Sequence, residues 1–494
     1  MTMNKVEDIV NRLKNGEITA TDAAKLYKSS QSKDNIDDSK VIFCNLEWKK
    51  INATQKPDRE RKSESTVYIG SSEEMYKILK ERTNGKVLQA TAENYKEVFA
   101  KIIEKKIPIN DVVISSAFLD EDINTLVIKD LKLVLDTVQW ISKLSVSMNK
   151  MIYYCYPLSD DKATIHSSCI AAFLQSVHLE NQSICYKVIG LDDSEQKLKE
   201  HLLTELEQST SDRNEVMIKE SIHYYKQLNE YPPTPLDDNP NKMLKKQGVY
   251  VITGGAGKLG GKIAYYIATH YKKSKIILVG RSKICKDSEL IGKLNATKSY
   301  AEYYSADISD RDSVVGLVSY VKSKYGHIDG VIHFAGLVKD MLYVNKKMID
   351  IVHTLESKVF GINNFDEVLR NEPLDFMILN SSTTSIIGNV GQCDYAYANR
   401  YLDEFAANRN RKVAAGKRYG KTIAIDWPLW DKGGMKANES TKEWMKKKIG
   451  FEPISDGSGL KIFETSIKFP YSQVGVMYGD VNKIRENIFQ KEKK

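Results

Sequence analysis

The segment Val249–Gly260, which reads VYVITGGAGKLG, decides the fold because it joins a strand signal to a phosphate-binding turn. The five residues Val249–Thr253 predict a buried strand, and the residues after the glycines predict a helix that ends near His270. Between strand and helix, the pattern GxGxxG is formed by Gly255, Gly257 and Gly260. Glycine allows a tight turn and close approach of the backbone to a pyrophosphate, and the helix N-terminus offers free N–H groups. The segment predicts a dinucleotide site; a merely tight turn is the alternative.

The residues predicted to bind the dinucleotide lie in this loop and at the end of the next strand. In the loop they are Thr253, Gly254, Gly255, Gly257, Lys258, Leu259 and Gly260. The next predicted strand, Lys275–Val279, is followed by Gly280, Arg281 and Ser282. An acidic residue here would hold the ribose 2′-hydroxyl of NAD, whereas an arginine attracts a 2′-phosphate. Arg281 and Ser282 therefore predict NADPH, unless Arg281 is only a solvated surface residue.

Asp307 follows the third predicted strand of this unit, Tyr300–Ser305. Its carboxylate could accept a hydrogen bond from the adenine amino group. It could equally cap the helix that is predicted to start near Ser309. Both roles stay open on the sequence alone.

Strand and helix signals alternate along the chain, which predicts an α/β fold with a parallel sheet covered on both faces. Further strands of the C-terminal half are expected at Gly330–Phe334, Asp375–Asn380, Thr422–Asp426 and Gln473–Tyr478. Strands of the N-terminal half are expected at Thr66–Ile69, Val87–Ala90, Asp111–Ser115 and Lys150–Tyr154. Helical periodicity covers Leu131–Leu144 and Ile165–Leu179.

Two polar breaks predict three units. Residues 1–38 form a linker or helical N-terminal segment that ends in the polar stretch SSQSKDNIDDSK. The second break, Tyr231–Asn241, holds four of the eleven prolines. It separates residues 39–241 from residues 242–494, which contain the dinucleotide loop.

An internal echo relates the two larger units. Val87–Ala117 has the same strand–helix–strand layout as Tyr304–Gly336, although a chance likeness is possible. The first strand of residues 39–241 is followed by GSSEE, which has acidic residues where a pyrophosphate would lie. We therefore predict that residues 39–241 are a truncated, cofactor-free Rossmann-like subdomain with a structural role, and that residues 242–494 are the catalytic one.

Composition excludes several classes of protein. The 494 residues are 41% hydrophobic and 28% charged, which is typical of a folded protein, and no run of about 18 apolar residues predicts a membrane helix. The six cysteines form no CxxC pair, which argues against a metal site or a disulfide framework. With no apolar leader at the N-terminus, the pattern predicts the reducing cytoplasm. A net charge of +8 without a recognisable module argues against a nucleic-acid partner.

A second constellation resembles the active site of short-chain dehydrogenases, which combine a serine, a tyrosine and a lysine in the spacing YxxxK. Tyr395 has Asn399 where that lysine would stand, and the rival Tyr397 lacks such a partner. A lysine on a predicted helix upstream, Lys358, could replace the missing one. Its competitors are Lys346 and Lys347.

This exchange of lysine and asparagine resembles the ketoreductase domains of modular polyketide synthases, and the likeness covers nearly all of residues 41–485. It is carried by TGGAGKLG at Thr253–Gly260, GRS at Gly280–Ser282, HFAG at His333–Gly336, Ser382 thirteen residues before Tyr395, and DWPLW at Asp426–Trp430. The proline at Pro428 resembles a feature of ketoreductases from the trans-acyltransferase branch of bacterial synthases.

The resemblance implies a role for each residue. Tyr395 would donate the proton, Ser382 would hold the substrate oxygen, and Lys358 would lower the pKa of the tyrosine. Asn399 would position a water that resupplies the proton. The nicotinamide loop would contain Ala335 and Gly336.

Stereochemistry and substrate access also follow from the resemblance. B-type ketoreductases, which form D-configured hydroxyls, have Leu-Asp-Asp where this chain has Val338, Lys339 and Asp340; the tryptophan of the A-type, expected near Ile387, is absent. The resemblance thus implies a D-configured product. A lid is predicted near 433–451, in which Met435 and Trp444 offer apolar surface. The lysines 446–448 could meet an acidic carrier protein or form a solvated helix face.

The implied function is NADPH-dependent reduction of a keto group, foremost a β-keto group, on an acyl thioester in polyketide biosynthesis. The implied partners are an acyl carrier protein and other synthase domains. Two alternatives stay open: a free-standing short-chain reductase of a small ketone, and a non-reducing structural module of a synthase. The first would not need the large cofactor-free half, and the second would be expected to have lost a catalytic residue.

Overall fold

A computed structural model describes residue 19 and residues 39–50, 65–83, 85–116, 121–144, 149–158, 161–192, 198–207, 213–232, 243–283, 289–435 and 438–489. The predicted segment 1–38 and the proline-rich break thus lie almost wholly outside the described residues. Among the described helices, none has the length and apolarity needed to cross a bilayer.

Fifteen strands of the described residues form one sheet. In the N-terminal half they are β1 (Val41–Lys50), β2 (Thr66–Ile69), β3 (Val87–Ala90), β4 (Asp111–Ser115), β5 (Lys150–Pro157), β6 (Ile184–Leu191), β7 (Glu215–Lys219) and β8 (Ile222–Tyr231). In the C-terminal half they are β9 (Val249–Thr253), β10 (Lys275–Gly280), β11 (Tyr300–Ser305), β12 (Gly330–His333), β13 (Phe376–Ser382), β14 (Lys421–Trp427) and β15 (Gln473–Tyr478).

Helices cover both faces of this sheet. Those of the N-terminal half are α1 (Glu73–Arg82), α2 (Tyr95–Glu104), α3 (Ile123–Ile141), α4 (Asp161–Glu180) and α5 (Leu198–Glu207). Those of the C-terminal half are α6 (Lys258–His270), α7 (Glu289–Asn295), α8 (Arg311–Tyr325), α9 (Met348–Leu355), α10 (Ile362–Val368), α11 (Thr384–Ile387), α12 (Cys393–Ala414), α13 (Glu439–Lys448), α14 (Asp456–Ser466) and α15 (Val481–Ile484). Two π-helical turns, Glu356–Gly361 and Arg485–Phe489, and a 3₁₀ turn, Tyr343–Asn345, complete the set.

The strand order defines two parallel blocks. The C-terminal block runs β11-β10-β9-β12-β13-β14-β15, the order of a doubly wound dinucleotide-binding sheet. The N-terminal block runs β7-β6-β5-β4-β2-β3. Strands β1 and β8, which pair antiparallel with each other, join the blocks. The mixed α/β, Rossmann-like fold predicted from the sequence is confirmed.

The predicted echo corresponds to matching connections in the two blocks. From β3 the chain passes through α2 to β4, crossing β2, and from β11 it passes through α8 to β12, crossing β10 and β9. The N-terminal block has two strands before its return connection, whereas the C-terminal block has three. It is therefore the same arrangement without one edge strand, as a truncated copy requires.

Every strand predicted from the sequence is present, with ends displaced by three residues at most. The predicted helix Leu131–Leu144 is the second part of α3, which begins at Ile123, and Ile165–Leu179 lies within α4. The pattern missed four strands, β1, β6, β7 and β8. Two of these, β1 and β8, make the antiparallel joint between the blocks.

The two halves share a continuous core. Strand β1 pairs with β15 from Val41↔Tyr478 to Cys44↔Gly475, and α4 lies along α12. One cluster of buried apolar side chains includes Phe173 of α4 and Tyr401 of α12, together with residues of both parallel blocks. On this face the two halves therefore bury apolar side chains against each other.

This joint predicts that residues 242–494 cannot stand alone. Burying one large apolar side chain stabilises a protein by roughly 1.5–3 kcal/mol, and the net stability of a domain is only about 5–15 kcal/mol. Without β1 and α4, a fragment starting at Lys242 exposes several such side chains, and we expect it to be insoluble or to lack a cooperative unfolding transition. Solubility and thermal unfolding measure this, and co-expression of residues 39–241 should restore the fold. A stable isolated fragment would contradict the prediction.

Candidate active site

The glycine loop between β9 and α6 has the geometry that its sequence predicts. Gly254 has a φ of +62°, and a Cβ there would lie 2.7 Å from the backbone nitrogen of Ala335. A Cβ on Gly260 would lie 2.4 Å from the Gly254 carbonyl oxygen. Gly257 is the N-cap of α6 and provides no side-chain cap. The loop therefore holds its backbone close to β12 and leaves the helix N-terminus open to an anionic group.

A cavity opens at the carboxyl edge of β9, β10 and β12. Its lining includes six of the residues predicted to bind the dinucleotide, namely Thr253, Gly254, Arg281, Asp307, Ala335 and Gly336. We call this space the dinucleotide cavity. It lies where ligands bind in doubly wound sheets, beyond the carboxyl ends of the strands at the point where the strand order reverses.

Arg281 lies on the rim of the dinucleotide cavity, and its side chain is 51% exposed. Its Nη1 donates to Glu356 Oε2 at 3.2 Å. Glu356 was not predicted, because 75 residues separate the pair and nothing local connects them. An ion pair this exposed is worth about 0–1 kcal/mol, so Arg281 can exchange Glu356 for a bound phosphate at little cost.

Asp307 and Ser282 make hydrogen bonds within the protein that the sequence did not predict. Asp307 Oδ1 accepts from the Ser309 N–H at 3.0 Å and the Ser309 hydroxyl at 2.7 Å, which shapes the turn before α8. The N-cap of α8 is Asp310, so the expectation that Asp307 caps this helix is wrong. Ser282 is exposed outside the cavity lining, and its carbonyl accepts from the Tyr303 hydroxyl. Lys258 is also exposed and outside the lining.

A second cavity adjoins the glycine loop on the substrate side, and we call it the catalytic cavity. Ser382, at the end of β13, and Tyr395, in the first turn of α12, both line it. Leu259 of the glycine loop and Met435 also contribute to its lining. The sequence did not predict Asn380, which lines the same cavity two residues before Ser382.

The Tyr395 side chain is buried, with 6% of the residue exposed. Burial raises the pKa of its hydroxyl, and hydrogen bonding with Asn399 and Ser382 lowers it only in part. The Lys358 Nζ lies over the ring, 5.5 Å from its centroid. The resemblance led us to expect a lowered pKa; in this structure the loss of solvent outweighs the favourable contacts.

Lys358 lies on the π-helical turn Glu356–Gly361 and is 1% exposed. Its Nζ donates to the Asn380 carbonyl at 2.7 Å. Burial lowers the pKa of this ammonium to about 7, against the opposing effect of two buried carboxyl groups, Asp403 and Asp426. A Cβ on Gly336 would lie 2.7 Å from the Lys358 Cε, so the glycine of HFAG leaves room for the lysine. Turns of this kind often occur at functional sites.

Asn399 is fully buried one turn beyond Tyr395. Its Nδ2 donates to the Tyr395 carbonyl at 2.7 Å, and Ser381 donates to the Asn399 carbonyl at 3.2 Å. The Asn399 Oδ1 has no hydrogen-bond partner among the described atoms. A buried amide oxygen without a partner is costly, so this atom is suited to accept from a bound water.

The competing residues point elsewhere. The Tyr397 hydroxyl bonds to His166 of α4, on the face of α12 that meets the N-terminal half. Lys346 forms a buried ion pair with Asp394 at 2.6 Å, and Lys347 is the exposed N-cap of α9. None of these three residues lines either cavity.

Two acidic residues behind the site were not predicted as functional. Gln473 Nε2 donates to Asp403 Oδ2 at 3.1 Å and to Asp426 Oδ2 at 2.8 Å. Burial raises the pKa of both carboxyl groups, and the proximity of Asp403 raises that of Asp426 further. The available signal was the spacing of Asp403, four residues after Asn399 on one helix.

Asp340 and helix α13 of the predicted lid lie outside the linings of both cavities. Asp340 Oδ1 accepts from Gln392 Nε2 at 2.7 Å, and its charge raises the pKa of Tyr395. Helix α13 occupies most of the predicted lid and has no buried residue. On α13, Lys446 pairs with Glu452 at 2.8 Å, and its side chain is 65% exposed. Among the described residues, no group of three potential ligands converges on a metal position.

The sheet order and the glycine loop define a Rossmann-like protein with a dinucleotide-binding type of loop. A family model described as KR domain matches residues 248–432. The chain belongs to this family, the ketoreductase domains of polyketide synthases, whose members use a nicotinamide cofactor. The resemblance found in the sequence is confirmed.

Individual relatives agree with this assignment. The chain is 34% identical over 365 residues to polyketide synthase PksN of Bacillus subtilis (strain 168), which covers 72% of this chain and 6% of that protein. It is 38% identical over 244 residues to PksL of the same strain, covering 49% of this chain and 5% of that protein. The chain therefore spans only a small part of these relatives.

Solved structures match nearly the whole chain. An N-terminal ketoreductase from the macrolactin assembly line superposes with a TM-score of 0.78 at 26% identity, covering 97% of this chain and 99% of the other. A ketoreductase domain from the bacillaene assembly line gives a TM-score of 0.72 at 26% identity, covering 91% and 99%. The N-terminal half is thus part of the shared fold.

The glycine loop yields a direct test of the dinucleotide cavity. In Gly260→Ala the added methyl meets the Gly254 carbonyl, and relief of such overpacking typically costs about 1–3 kcal/mol. We expect affinity for a reduced nicotinamide dinucleotide, measured by fluorescence titration, to fall roughly 5- to 150-fold. Gly292→Ala is the control, because a Cβ on this helical glycine meets nothing within 4 Å. Equal affinities in the two variants would contradict the assignment.

Proposed function

We propose that this chain is an NADPH-dependent ketoreductase that reduces a keto group, foremost a β-keto group, on an acyl thioester carried by an acyl carrier protein. The observation that carries the proposal is that Lys358 lies between residues of the two cavities. Its side chain is close to Gly336, which lines the dinucleotide cavity, and its Nζ lies over the ring of Tyr395, which lines the catalytic cavity. A dinucleotide and a ketone bound in these cavities would meet at this point.

The residues around the dinucleotide cavity fit a reduced nicotinamide dinucleotide with a 2′-phosphate. Gly254 and Gly260 allow the tight turn that a pyrophosphate-binding loop needs, and Arg281 lines the cavity, where its guanidinium could bind a 2′-phosphate. The exposed pair of Arg281 with Glu356 keeps the guanidinium at the rim. The bound dinucleotide supplies a hydride to the carbonyl carbon of the substrate. Ala335 and Gly336 form the backbone against which the nicotinamide would lie.

Tyr395 and Ser382 act on the substrate oxygen. As the carbonyl carbon gains a hydride, its oxygen becomes an alkoxide, which takes the proton of the Tyr395 hydroxyl and yields the alcohol. The Ser382 hydroxyl donates a second hydrogen bond to this oxygen and stabilises the developing charge. Both side chains are buried, which strengthens these interactions because water does not compete for the oxygen.

Lys358 and Asn399 support the proton transfer. The positive charge of Lys358 favours the tyrosinate that remains after the transfer. Because the pKa of Lys358 is about 7, this charge is present below neutral pH and is lost as the pH rises. Asn399 Oδ1 would hold the water through which Tyr395 regains its proton. This oxygen is buried one helical turn from Tyr395.

Residues near Tyr395 support a carrier-bound substrate and a D-configured, B-type product. Asp340 is held by Gln392, three residues before Tyr395, and Met435, which lines the catalytic cavity, offers an apolar surface to an acyl chain. The exposed helix α13 presents basic residues that an acidic carrier protein could contact, although Lys446 already pairs with Glu452. Other domains of a synthase would be the further partners.

Replacing the proposed acid tests the chemistry. Tyr395→Phe retains the ring but not the proton, and a positioned acid contributes roughly 10²–10⁴-fold to rate. We expect kcat to fall by that factor, measured as NADPH oxidation with a β-ketoacyl thioester, and dinucleotide affinity to stay unchanged. Tyr397→Phe is the matched control: it loses the bond to His166 and should lose thermal stability rather than kcat. An active Tyr395→Phe with an inactive Tyr397→Phe would overturn the assignment.

Arg281→Ala tests the cofactor. A hydrogen bond to a charged group contributes about 1.5–3 kcal/mol, so the KM for NADPH should rise roughly 10- to 150-fold while the KM for NADH hardly changes. Lys283→Ala is the control, because this exposed basic residue lies two positions further on and outside the cavity lining. Equal losses with both dinucleotides would show that Arg281 does not bind the 2′-phosphate.

A further inference from the structure

Glu180, the last residue of α4, reaches from the N-terminal half to two loops, one that contains Asp340 and one that leads into α12 and Tyr395. Its Oε2 accepts from the backbone N–H of Tyr343 at 2.8 Å, and its Oε1 accepts from the backbone N–H of Gly391 at 2.9 Å. One carboxylate therefore binds two segments that are far apart in the sequence. Hydrogen bonds to an ionised acceptor are about twice as strong as neutral ones.

Both segments determine where catalytic or stereocontrolling side chains lie. Residues 336–345, the Asp340 loop, contain Asp340 and end in the 3₁₀ turn that starts at Tyr343. Residues 388–392, the Gln392 loop, lead directly into α12 and Tyr395. The loops touch through Gln392 Nε2, which donates to Asp340 Oδ1 at 2.7 Å, and through the Met341 N–H, which donates to the Gly391 carbonyl at 2.9 Å.

The conformation of the Gln392 loop requires external support. Gly391 has a φ of +79°, and the loop has only a few residues in which to turn before α12 begins. Ser176, also on α4, accepts from the Asn389 N–H at 3.2 Å. Helix α4 thus holds this loop at two points, and Glu180 is the point that it shares with the Asp340 loop.

A second helix of the N-terminal half holds the Asp340 loop in the same way. Gln139 Nε2 of α3 donates to the carbonyls of Tyr343 at 2.8 Å and Lys346 at 2.9 Å. Around Glu180 the charged groups are Lys346 and Asp394, which form their own buried pair. The carboxylate is therefore fixed by its two N–H donors within an otherwise neutralised environment.

We propose that Glu180 is a positioning residue for the reduction, through which the cofactor-free half fixes Asp340 relative to Tyr395. The inference rests on the proposed function. Its consequence is that the configuration of the new hydroxyl depends on a residue outside the dinucleotide-binding half. A displacement of about 1 Å at an active site can cost up to a hundredfold in rate. The configuration of the product is set by which face of the ketone meets the hydride, and therefore by the side chains that orient the substrate relative to Tyr395.

The test uses the full chain with a racemic α-methyl-β-ketoacyl thioester of N-acetylcysteamine as the probe and NADPH as the reductant. Glu180→Gln keeps the shape but turns one acceptor into a donor that faces an N–H. We expect kcat/KM to fall about ten- to a hundredfold, the ratio of D- to L-configured alcohol to move toward unity, and dinucleotide affinity to stay unchanged.

Glu205→Gln is the matched control. Glu205 is a buried carboxylate of the same half that pairs with Lys187 at 2.9 Å and with His223 at 2.7 Å, away from both loops. Its replacement should lower thermal stability and leave the product ratio intact. If both variants change the ratio equally, the effect is a general loosening of the N-terminal half and the inference is wrong.

A further variant covers the case in which Glu180→Gln does not fold. Glu180→Asp withdraws the carboxylate by one methylene and should shift the product ratio in the same direction by a smaller amount. A folded Glu180 variant with the wild-type product ratio and the wild-type kcat/KM overturns the inference. Failure of the wild-type chain to reduce the probe would instead count against the proposed function.

Discussion

The pairing of β1 with β15 on one side and β8 on the other is the interaction on which the rest of the structure depends. It turns two parallel blocks, each with its own strand order, into one sheet. Because the sheet is continuous, α4 and α12 lie side by side on the same face and bury their shared surface. The two halves thus have related arrangements of strands and helices, and the dinucleotide loop belongs to the C-terminal half.

Helix α12 serves both halves because its faces have different partners. Tyr395 lines the catalytic cavity, whereas Tyr397 reaches His166 of α4. The Arg400 guanidinium bonds both carboxylate oxygens of Glu215 in β7, at 3.1 and 3.2 Å. Packing against the N-terminal half therefore fixes the rotation of α12 about its axis, on which the direction of the Tyr395 side chain depends.

Much of this could be read from the sequence, and the exceptions have a common cause. Strands with continuous apolar runs, such as β4 and β9, can be predicted from a few consecutive residues, as can the glycine loop. Strand β8, with the sequence IHYYKQLNEY, cannot be predicted in this way, because its residues are half-buried and its partners lie far away in the chain. The same holds for the site. The spacing of Ser382 and Tyr395 is local, whereas the contacts of Glu356, Gln473 and Glu180 link distant segments and leave no periodic signal.

The short distance between Gly336 and Lys358 restricts which substitutions the chain can accept at these two positions. Any side chain at position 336 would begin 2.7 Å from the Lys358 Cε, so the end of the lysine would have to move away from the place where its Nζ bonds to the Asn380 carbonyl. A substituent at 336 therefore changes the position of the ammonium even where the lysine itself is kept. The two positions are coupled, and a change at one alters what the other can do.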